Sequence, residues 1–415
     1  MSPSSLSNAL LAPGPLLVLV GRPHYRSPMP KQRRRHHVGE RSGVFSDLYV
    51  SMGRRAGLQL LDEVTTAEDL RPRATISRLA SLGLALLIHA FALSFFVLGL
   101  YLVASHVSPI LVILGAICLF IGWALRPSLG KPPETVLRRE DAPALYALVD
   151  RVADEIGSPH VSGLLLSTSF TASVSVVGLR RQTFITIGVP MFTVLEPQER
   201  IALLAHELGH RVNGDPRSGL ITGSALQSLR TWYVLFTPMP GLGRYGLAAL
   251  TDMLSGALMW LLRGCVRAVA SVLIHLTWRD SQRAEYLADD WGRRTAGTQG
   301  LVRLFHAFAF SAAFDEAKRA MSPDHGRGAG ALAELRRRVG ENPDRYVARA
   351  EAKGEIPRLD ATHPPTPMRI AFASAKAVSP SMTLSYGESS RIDDELSRFE
   401  DELDKRITED YRESL

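Results

Sequence analysis

Cysteine is nearly absent: the 415 residues contain 2, Cys118 and Cys265, each within an apolar stretch. Two thiols cannot supply a disulfide framework or a cysteine-rich zinc module, and they are compatible with a reducing, cytoplasmic setting. Signatures of several other chemistries are missing too. There is no nucleophile elbow and no paired-cysteine motif. The GxGxxG pattern "GLGRYG" at 241–246 follows Met239-Pro240 rather than a strand, so it reads as a flexible turn and not as a phosphate cradle. Charge is missing from two long runs, Leu79–Ala104 and Val107–Leu125. A bilayer core takes about 20 apolar residues in a helix, and lipid offers no water to loose backbone groups. Two membrane spans joined by the tight turn "SHVSP" are therefore expected. A buried hairpin of a soluble core would show a polar face, and neither run has one.

Basic residues orient the pair. Arg71, Arg73 and Arg78 precede the first span, Arg126 and Lys131 follow the second, and the turn carries none. Both flanks, and the segment that follows, belong on the cytoplasmic side of a cell membrane. The apolar run "ALLAPGPLLVLV" near the start is broken by proline and has no basic residue before it, so it does not read as a secretory signal. Three later apolar stretches, Leu220–Phe236, Leu247–Leu262 and Val266–Trp278, contain Arg230, Asp252 and Arg267. An ionised group at mid-bilayer costs several kcal/mol unless it faces protein or water. Those stretches are either further spans, giving two to four in all, or helices lying against the membrane.

The net charge of +7 is unevenly placed: residues 1–78 carry 12 Lys/Arg against 6 Asp/Glu, and Asp393–Leu415 carry 4 against 10. The run "KQRRRHH" at 31–37 reads first as a solvated leader and second as a patch for anionic lipid heads, at about 1 kcal/mol per basic residue. No aromatic or fold signature accompanies it, so no nucleic acid is expected. Residues 1–70 form a poorly ordered basic region and 71–130 the membrane hairpin. The stretch "EDAPALYALVDRVADEIG" reads as a helix capped by Asp141, opened by Pro143 and ended by Gly157. "HVSGLLLS" and "QTFITIG", with "STSFTASVSVVGLRR" between them, suggest a small sheet of two or three strands. "EPQERIALLAHELGH" reads as a helix that starts at Pro197, carries Glu196 and Glu199 at its positive end, and stops at Asn213-Gly214. The fold class is mainly α with a small β-sheet, α+β.

Within that last helix His206 and His210 lie four apart, on one face. Two imidazoles aimed at one point are the usual beginning of a zinc site. Glu207 is rotated about 100° around the axis, within reach of a water at the metal without being a ligand. Gly209 between the ligands admits a substrate or another stretch of chain. The competing reading, two buried histidines bonded to neighbours, demands nothing further along the chain, whereas a zinc site demands a third ligand. "RDSQRAEYLADDWG" (279–292) offers Glu285, with Asp289 one turn later to accept a hydrogen bond from a ligand histidine's second nitrogen.

Together these residues resemble the membrane-integrated zinc peptidases typified by the heat-shock protease HtpX and the CAAX prenyl proteases (metallopeptidase family forty-eight). The resemblance runs from about Leu145 to Phe372. It rests on "TASVSV", on HELGH followed by "NGD", on "RAEYLAD" and on "THPPTPMRI". It implies a gluzincin-like catalytic domain over 134–385, with apolar helices at 217–278 that are candidates for embedding in the membrane. One Zn2+ would be held by His206, His210 and Glu285, with Glu207 as catalytic base and Asp289 as the acid behind a ligand. His363 and Arg369 are the candidates for steadying the oxyanion or the fold. Thr171, Ala172 and Ser173 would begin an edge strand that binds extended peptide; the family often has Asn where Thr171 stands. The expected partners are polypeptides at the membrane and the bilayer itself, in quality control of membrane proteins. A sensor peptidase with one substrate and a non-enzymatic scaffold are the rival readings. The N-terminal 70 residues and the acidic helix of 386–415 lie outside the family pattern. Ile392, Leu396, Phe399, Leu403 and Ile407 recur there at helical spacing, which reads first as a half-solvated terminal helix and then as a face for docking on the catalytic unit, self-association or contact with a partner protein.

Overall fold

The computed structural model describes residues 41–68, 70–71, 75–105, 108–127, 132–178, 180–214, 220–237, 246–320, 330–354 and 363–414. The basic run at 31–37, Arg73, Lys131, His106 and Val107 of the SHVSP turn, and nearly all of GLGRYG lie outside them. The uncharged runs become helices α2 (Ile76–Ser105) and α3 (Pro109–Leu125), the second capped by the Ser108 hydroxyl, which accepts from the Ile110 N–H. Their seam is made of small residues. A Cβ placed on Gly99 would stand 2.8 Å from the Gly115 carbonyl oxygen, so only glycine permits this backbone approach. Away from the seam Leu87, Phe91, Ile113 and Phe120 are exposed, the reverse of a soluble helix.

Helix α1 (Arg41–Thr66) falls in a region expected to be poorly ordered. The expectation failed because the face that α1 buries is short. Leu60 and Val64 pack on Tyr286 and Phe372, while Glu63 accepts from Arg279 at 3.0 Å and Arg283 at 2.7 Å. Partners more than 200 residues away leave little periodicity in the local sequence.

Helix α4 (Pro143–Ile156) ends at Gly157 in the left-handed region, but Asp141 does not cap it. The Glu395 carboxylate, from far down the chain, accepts the N–H groups of Ala144 (2.7 Å) and Leu145 (3.0 Å) instead. Three strands follow: β1 (Gly163–Ser167), β2 (Ala172–Val177) and β3 (Gln182–Gly188). Their order is β1-β3-β2, with β1 parallel and β2 antiparallel to β3, so β2 is an edge. The short α5 (Val189–Phe192) leads into α6 (Pro197–Val212), whose inner face enters the main core with α4 and β3.

Helix α7 (Leu220–Leu235) packs with α2 and with α8 (Gly246–Ala307) in a second core that includes Ala85, Ala92, Ala225, Trp232 and Ala270. The sequence divides this stretch into separate segments, Leu247–Leu262 and Val266–Trp278, followed by a distinct helix bearing Glu285. They are instead one helix of 62 residues, interrupted only at Gly297. Nothing in Arg263-Gly264-Cys265 breaks a helix, and the Arg263 guanidinium lies 4.1 Å from the centre of the Tyr233 ring on α7. At Gly297 φ is +80°, and a Cβ would meet Pro380 at 3.0 Å. Chain at 378–382 bonds to Arg294, Thr295 and Thr298 across this break. Two helices, α2 and the one containing Thr251, are long and apolar enough to cross a membrane; α3 is apolar but shorter.

The remainder is helical: α9 (Ser311–Ala320), α10 (Ala331–Glu341), α11 (Pro343–Lys353), α12 (Thr366–Ala375), α13 (Tyr386–Ser397) and α14 (Glu400–Ser414). Of the roles open to the acidic C-terminal segment, docking is the one observed. It forms two helices that bury Ile392, Leu396, Leu403 and Ile407 in the main core. Asp393 pairs with buried Arg200 at 2.6 Å, and Asp404 accepts the Leu332 N–H at the start of α10.

Candidate metal centre and substrate groove

Helix α6 starts on a capping box in which Glu196 and Glu199 each accept the other's backbone N–H, with Pro197 at its first position. It stops at Asn213, and Gly214 follows with φ +62°. Ile201, Leu204 and Leu208 anchor it in the main core. The opposite side presents His206 and His210 to α8, both buried. Gly209 is what lets α8 approach: a Cβ there would lie 3.1 Å from the Trp291 ring and 3.2 Å from the Ala288 Cα. The neighbour that this glycine admits is thus α8 of the same chain. Trp291 then donates from its indole to the Asn213 side chain at 3.2 Å, which ties the end of α6 to α8.

The imidazoles of His206 and His210 stand edge to face, their Nε2 atoms 3.2 Å apart. Glu285, reached from α8, brings one carboxylate oxygen to 3.6 Å from His206 Nε2 and the other to 3.7 Å from His210 Nε2. All three ligand atoms lie within 4.8 Å of one another and all three residues are buried. Two nitrogens and one carboxylate oxygen converging in this way fit a divalent zinc-type ion, and three protein ligands leave a fourth position for water or substrate.

Asp289, one turn beyond Glu285 and fully buried, lies 2.9 Å from His206 Nδ1 and fixes which nitrogen faces the centre. Arg369 on α12 grips Asp289 through two bonds of 2.8 and 2.5 Å, and its guanidinium lies 4.5 Å from the centre of the Phe305 ring. Burial works against both carboxylates' charge, yet both stay ionised below the usual range. Arg369 and His206 hold Asp289 down; His363, His210 and His206 hold Glu285 well down. His363 is half-exposed, and its Nδ1 lies 2.6 Å from the Glu285 carboxylate. Of the two candidates for steadying an oxyanion, Arg369 is committed to Asp289 from behind, and His363 is the one at the open side.

The third component is β2. Gly188 N–H donates to the Thr171 carbonyl at 2.8 Å, and the register pairs Ser173 with Thr186 and Ser175 with Phe184. In an antiparallel ladder the hydrogen-bonded pairs alternate. Thr171, Ser173 and Ser175 therefore turn their backbone groups to β3, while Ala172, Val174 and Val176 turn theirs to the free edge. That edge faces α6, for the Val174 N–H donates to Glu207 Oε2 at 3.1 Å. Of the three positions singled out in sequence, Ala172 alone offers its main chain outward. Val174 was missed; period-two alternation points to it once the strand's partner is known.

The sequence profile of Peptidase family M48 matches residues 140–377, which run from just before α4 to just past α12 and include every ligand and support described above. The chain belongs to peptidase family M48. It is similar to curated proteins named "Protease HtpX homolog". One from Pyrobaculum calidifontis is 26% identical over 245 residues, covering 55% of this chain and 67% of that protein. Another from Thermococcus sibiricus is 26% identical over 243 residues, covering 57% and 74%. A third from Pelotomaculum thermopropionicum is 26% identical over 251 residues, covering 58% and 78%. No solved structure matches. Membership in family M48 makes the chain an HtpX-like metallopeptidase. It also marks what this M48 protein carries outside the matched region: α1, the apolar pair α2–α3 and the C-terminal helices α13–α14.

Proposed function

We propose that this M48 protein is a zinc endopeptidase that cuts extended polypeptides at the cytoplasmic face of the cell membrane, in quality control of membrane proteins. The observation that carries the reading is the Glu207 carboxylate. It sits beside the ligand pair, holds no ligand position in the His206–His210–Glu285 set, and touches the free edge of β2. When bound, zinc supplies the Lewis acidity that polarises a peptide carbonyl and acidifies water.

The chain's own residues do the rest. An extended peptide adds to β2 through the outward groups of Ala172, Val174 and Val176, main chain to main chain, which tolerates varied sequence. Its carbonyl takes over the Val174 N–H and releases Glu207. The freed carboxylate then accepts a proton from water and returns it to the departing amine. His363, at the open side, donates to the negative charge that develops on the carbonyl oxygen. Asp289 and Arg369 hold His206 in the tautomer and orientation that the centre needs.

Location narrows the substrates. Arg279 is the first charged residue after the apolar part of α8 and precedes Glu285 by six positions, about 9 Å along a helix. The basic residues flanking α2 and α3 support a cytoplasmic location for that end of α8. Polypeptides lying on or slipping out of the inner leaflet are then within reach.

The test is degradation of an unfolded model protein by the detergent-purified full chain and by Glu207→Gln at matched zinc content. Loss of a proton-transfer group costs about 10²–10⁴-fold in rate, so the variant should fall by that much while retaining the metal. Equal activity in both would remove the mechanism. Zinc binding by both with no cleavage by either would favour a sensor with one dedicated substrate.

A further inference from the structure

Among the arginines at the end of the β2 groove, Arg181 and Arg211 act on each other and the proposed chemistry uses neither. Arg211 is the residue after the ligand His210, one helical turn beyond Glu207, in the last turn of α6. Its side chain is half-buried, and its Nε is buried without a hydrogen-bond partner. Glu207 would be the natural i,i+4 mate, but it turns to Val174 instead. Among the described residues no carboxylate pairs with Arg211, and the charge that reaches it is the like charge of Arg181. Arg181 is exposed, on the turn joining β2 to β3, and is the non-glycine residue of the described chain with a positive φ, +51°. A backbone in that region costs energy for a side chain with a Cβ and is held where the surroundings demand it.

Strand and helix explain the meeting. Val174 contacts Glu207, and three residues on from Val174, about 10 Å along a strand, β2 ends at Val177. One turn on from Glu207, α6 ends just past Arg211. The charge of Arg181 reaching Arg211 brings the two ends together at one end of the groove. There Arg181 and Arg211 face each other's charge, the second partly stripped of water and neither offset by an acid among the described residues. Desolvated charge is ordinarily paired, and a guanidinium fork matches a carboxylate in two parallel bonds.

We propose that Arg181 and Arg211 form a carboxylate-binding subsite at the hairpin end of the β2 groove. It selects polypeptides with Asp or Glu about three residues to one side of the bond that is cut. The subsite rests on the peptidase reading, because the groove is its approach. It adds one side-chain preference to a groove otherwise governed by main chain. A lipid phosphate is the lesser fit, because the pair lies in line with the edge that Glu207 touches, where peptide and not headgroup must pass.

The experiment uses the full chain in detergent with internally quenched peptides of neutral sequence, a single Asp or Ala being walked four positions to either side of the centre. The expected result is a ratio of kcat/KM, Asp over Ala, of about 10- to 100-fold at one position, as for a charge-assisted hydrogen bond. The gain should lie in KM. The ratio should collapse towards one in Arg211→Gln and in Arg181→Gln; the latter lies on an exposed turn, where folding is not at stake. Arg211→Glu should move the preference to Lys. Anisotropy of the same labelled peptides on Glu207→Gln reads binding without turnover. Asp-dependent binding there supports the subsite even if no peptide is cut, a result that would count against the peptidase reading alone. A flat Asp/Ala profile in both measurements, or a ratio unchanged in the two Gln variants, overturns the proposal. So does an unchanged ratio with weakened binding of phosphatidylglycerol vesicles, which would give the pair to lipid.

Discussion

Helix α8 obeys two opposite rules along one backbone. In its first part Met253, Leu254, Leu258 and Trp260 stand exposed, Trp260 at 74%. After Trp278 the exposure reverses: Asp280, Arg283, Glu285, Asp289, Asp290 and Arg293 are all buried, Asp289 completely. In water each half would be an error, since an apolar face should be covered and a buried charge should be paired. The first half is correct for lipid, where a leucine face is already at home. The second half is correct because every acid has been given a partner: Asp280 accepts from the Thr75 and Ser77 hydroxyls, Asp289 takes Arg369, Asp290 takes Arg293 and Arg294, and Glu285 takes the three histidines. Burial and exposure are thus statements about a side chain's partners, and helix type alone predicts neither.

The largest disturbance should come from undoing a pair in the buried half. Arg369→Leu leaves Asp289 charged and enclosed, at about 3–5 kcal/mol. It should lower the unfolding midpoint of the purified chain and weaken zinc retention. Arg369→Leu with Asp289→Asn should recover part of that stability, and failure to recover any would show that the pairing is not what matters. Next comes a charge moved into the other half: Leu258→Asp on the exposed apolar face should cost about 2.5–3.5 kcal/mol of insertion. This would be read as the fraction of chain recovered in alkali-washed membranes, and unchanged recovery would mean that this face does not meet lipid. A third effect separates the acidic tail from both halves. Glu395→Gln weakens the two hydrogen bonds that cap α4, at about 1–2 kcal/mol, measurable as faster amide exchange at Ala144 and Leu145.

The smallest effect sharpens the contrast by pH. Backbone and hydroxyl hydrogen bonds from Ser385, with Arg151 beside it, lower the Glu388 carboxyl from 4.5 to about 2. A folded value below the unfolded one stabilises the docked tail above pH 4.5, and that contribution is lost as pH falls from there towards 2. Because Glu388 is partly exposed, solvent screening keeps the effect small. Exchange in α13 should quicken over that interval in the native chain and show no such step in Glu388→Gln.

These contrasts also mark what could be read in the sequence. HELGH and the Glu285/Asp289 pair were legible because helical spacing alone decides which side chains share a face. The uncharged runs were legible as apolar helices because neither has a polar face to offer water. The continuity of α8 was not, because Arg263 and Arg267 look like breaks when their neighbours are unknown. Helix α1 was illegible for a related reason: Leu60, Glu63 and Val64 acquire meaning only against Tyr286, Arg283 and Phe372. The cap of α4 shows the same limit, since Asp141 was near in sequence and Glu395 was near in space. The part played by Val174 depends on which neighbour β2 pairs with, which a strand's own residues do not record.

Because Trp278 and Glu285 belong to one unbroken rod, the height of the centre above the apolar layer and its angular phase are a single quantity. One residue inserted between them would lift Glu285 by about 1.5 Å and swing it about 100°, out of line with His206 and His210. If α8 crosses a bilayer as proposed, the same rigidity would make a tilt of its apolar part move Glu285 directly, with no hinge in between to absorb the motion.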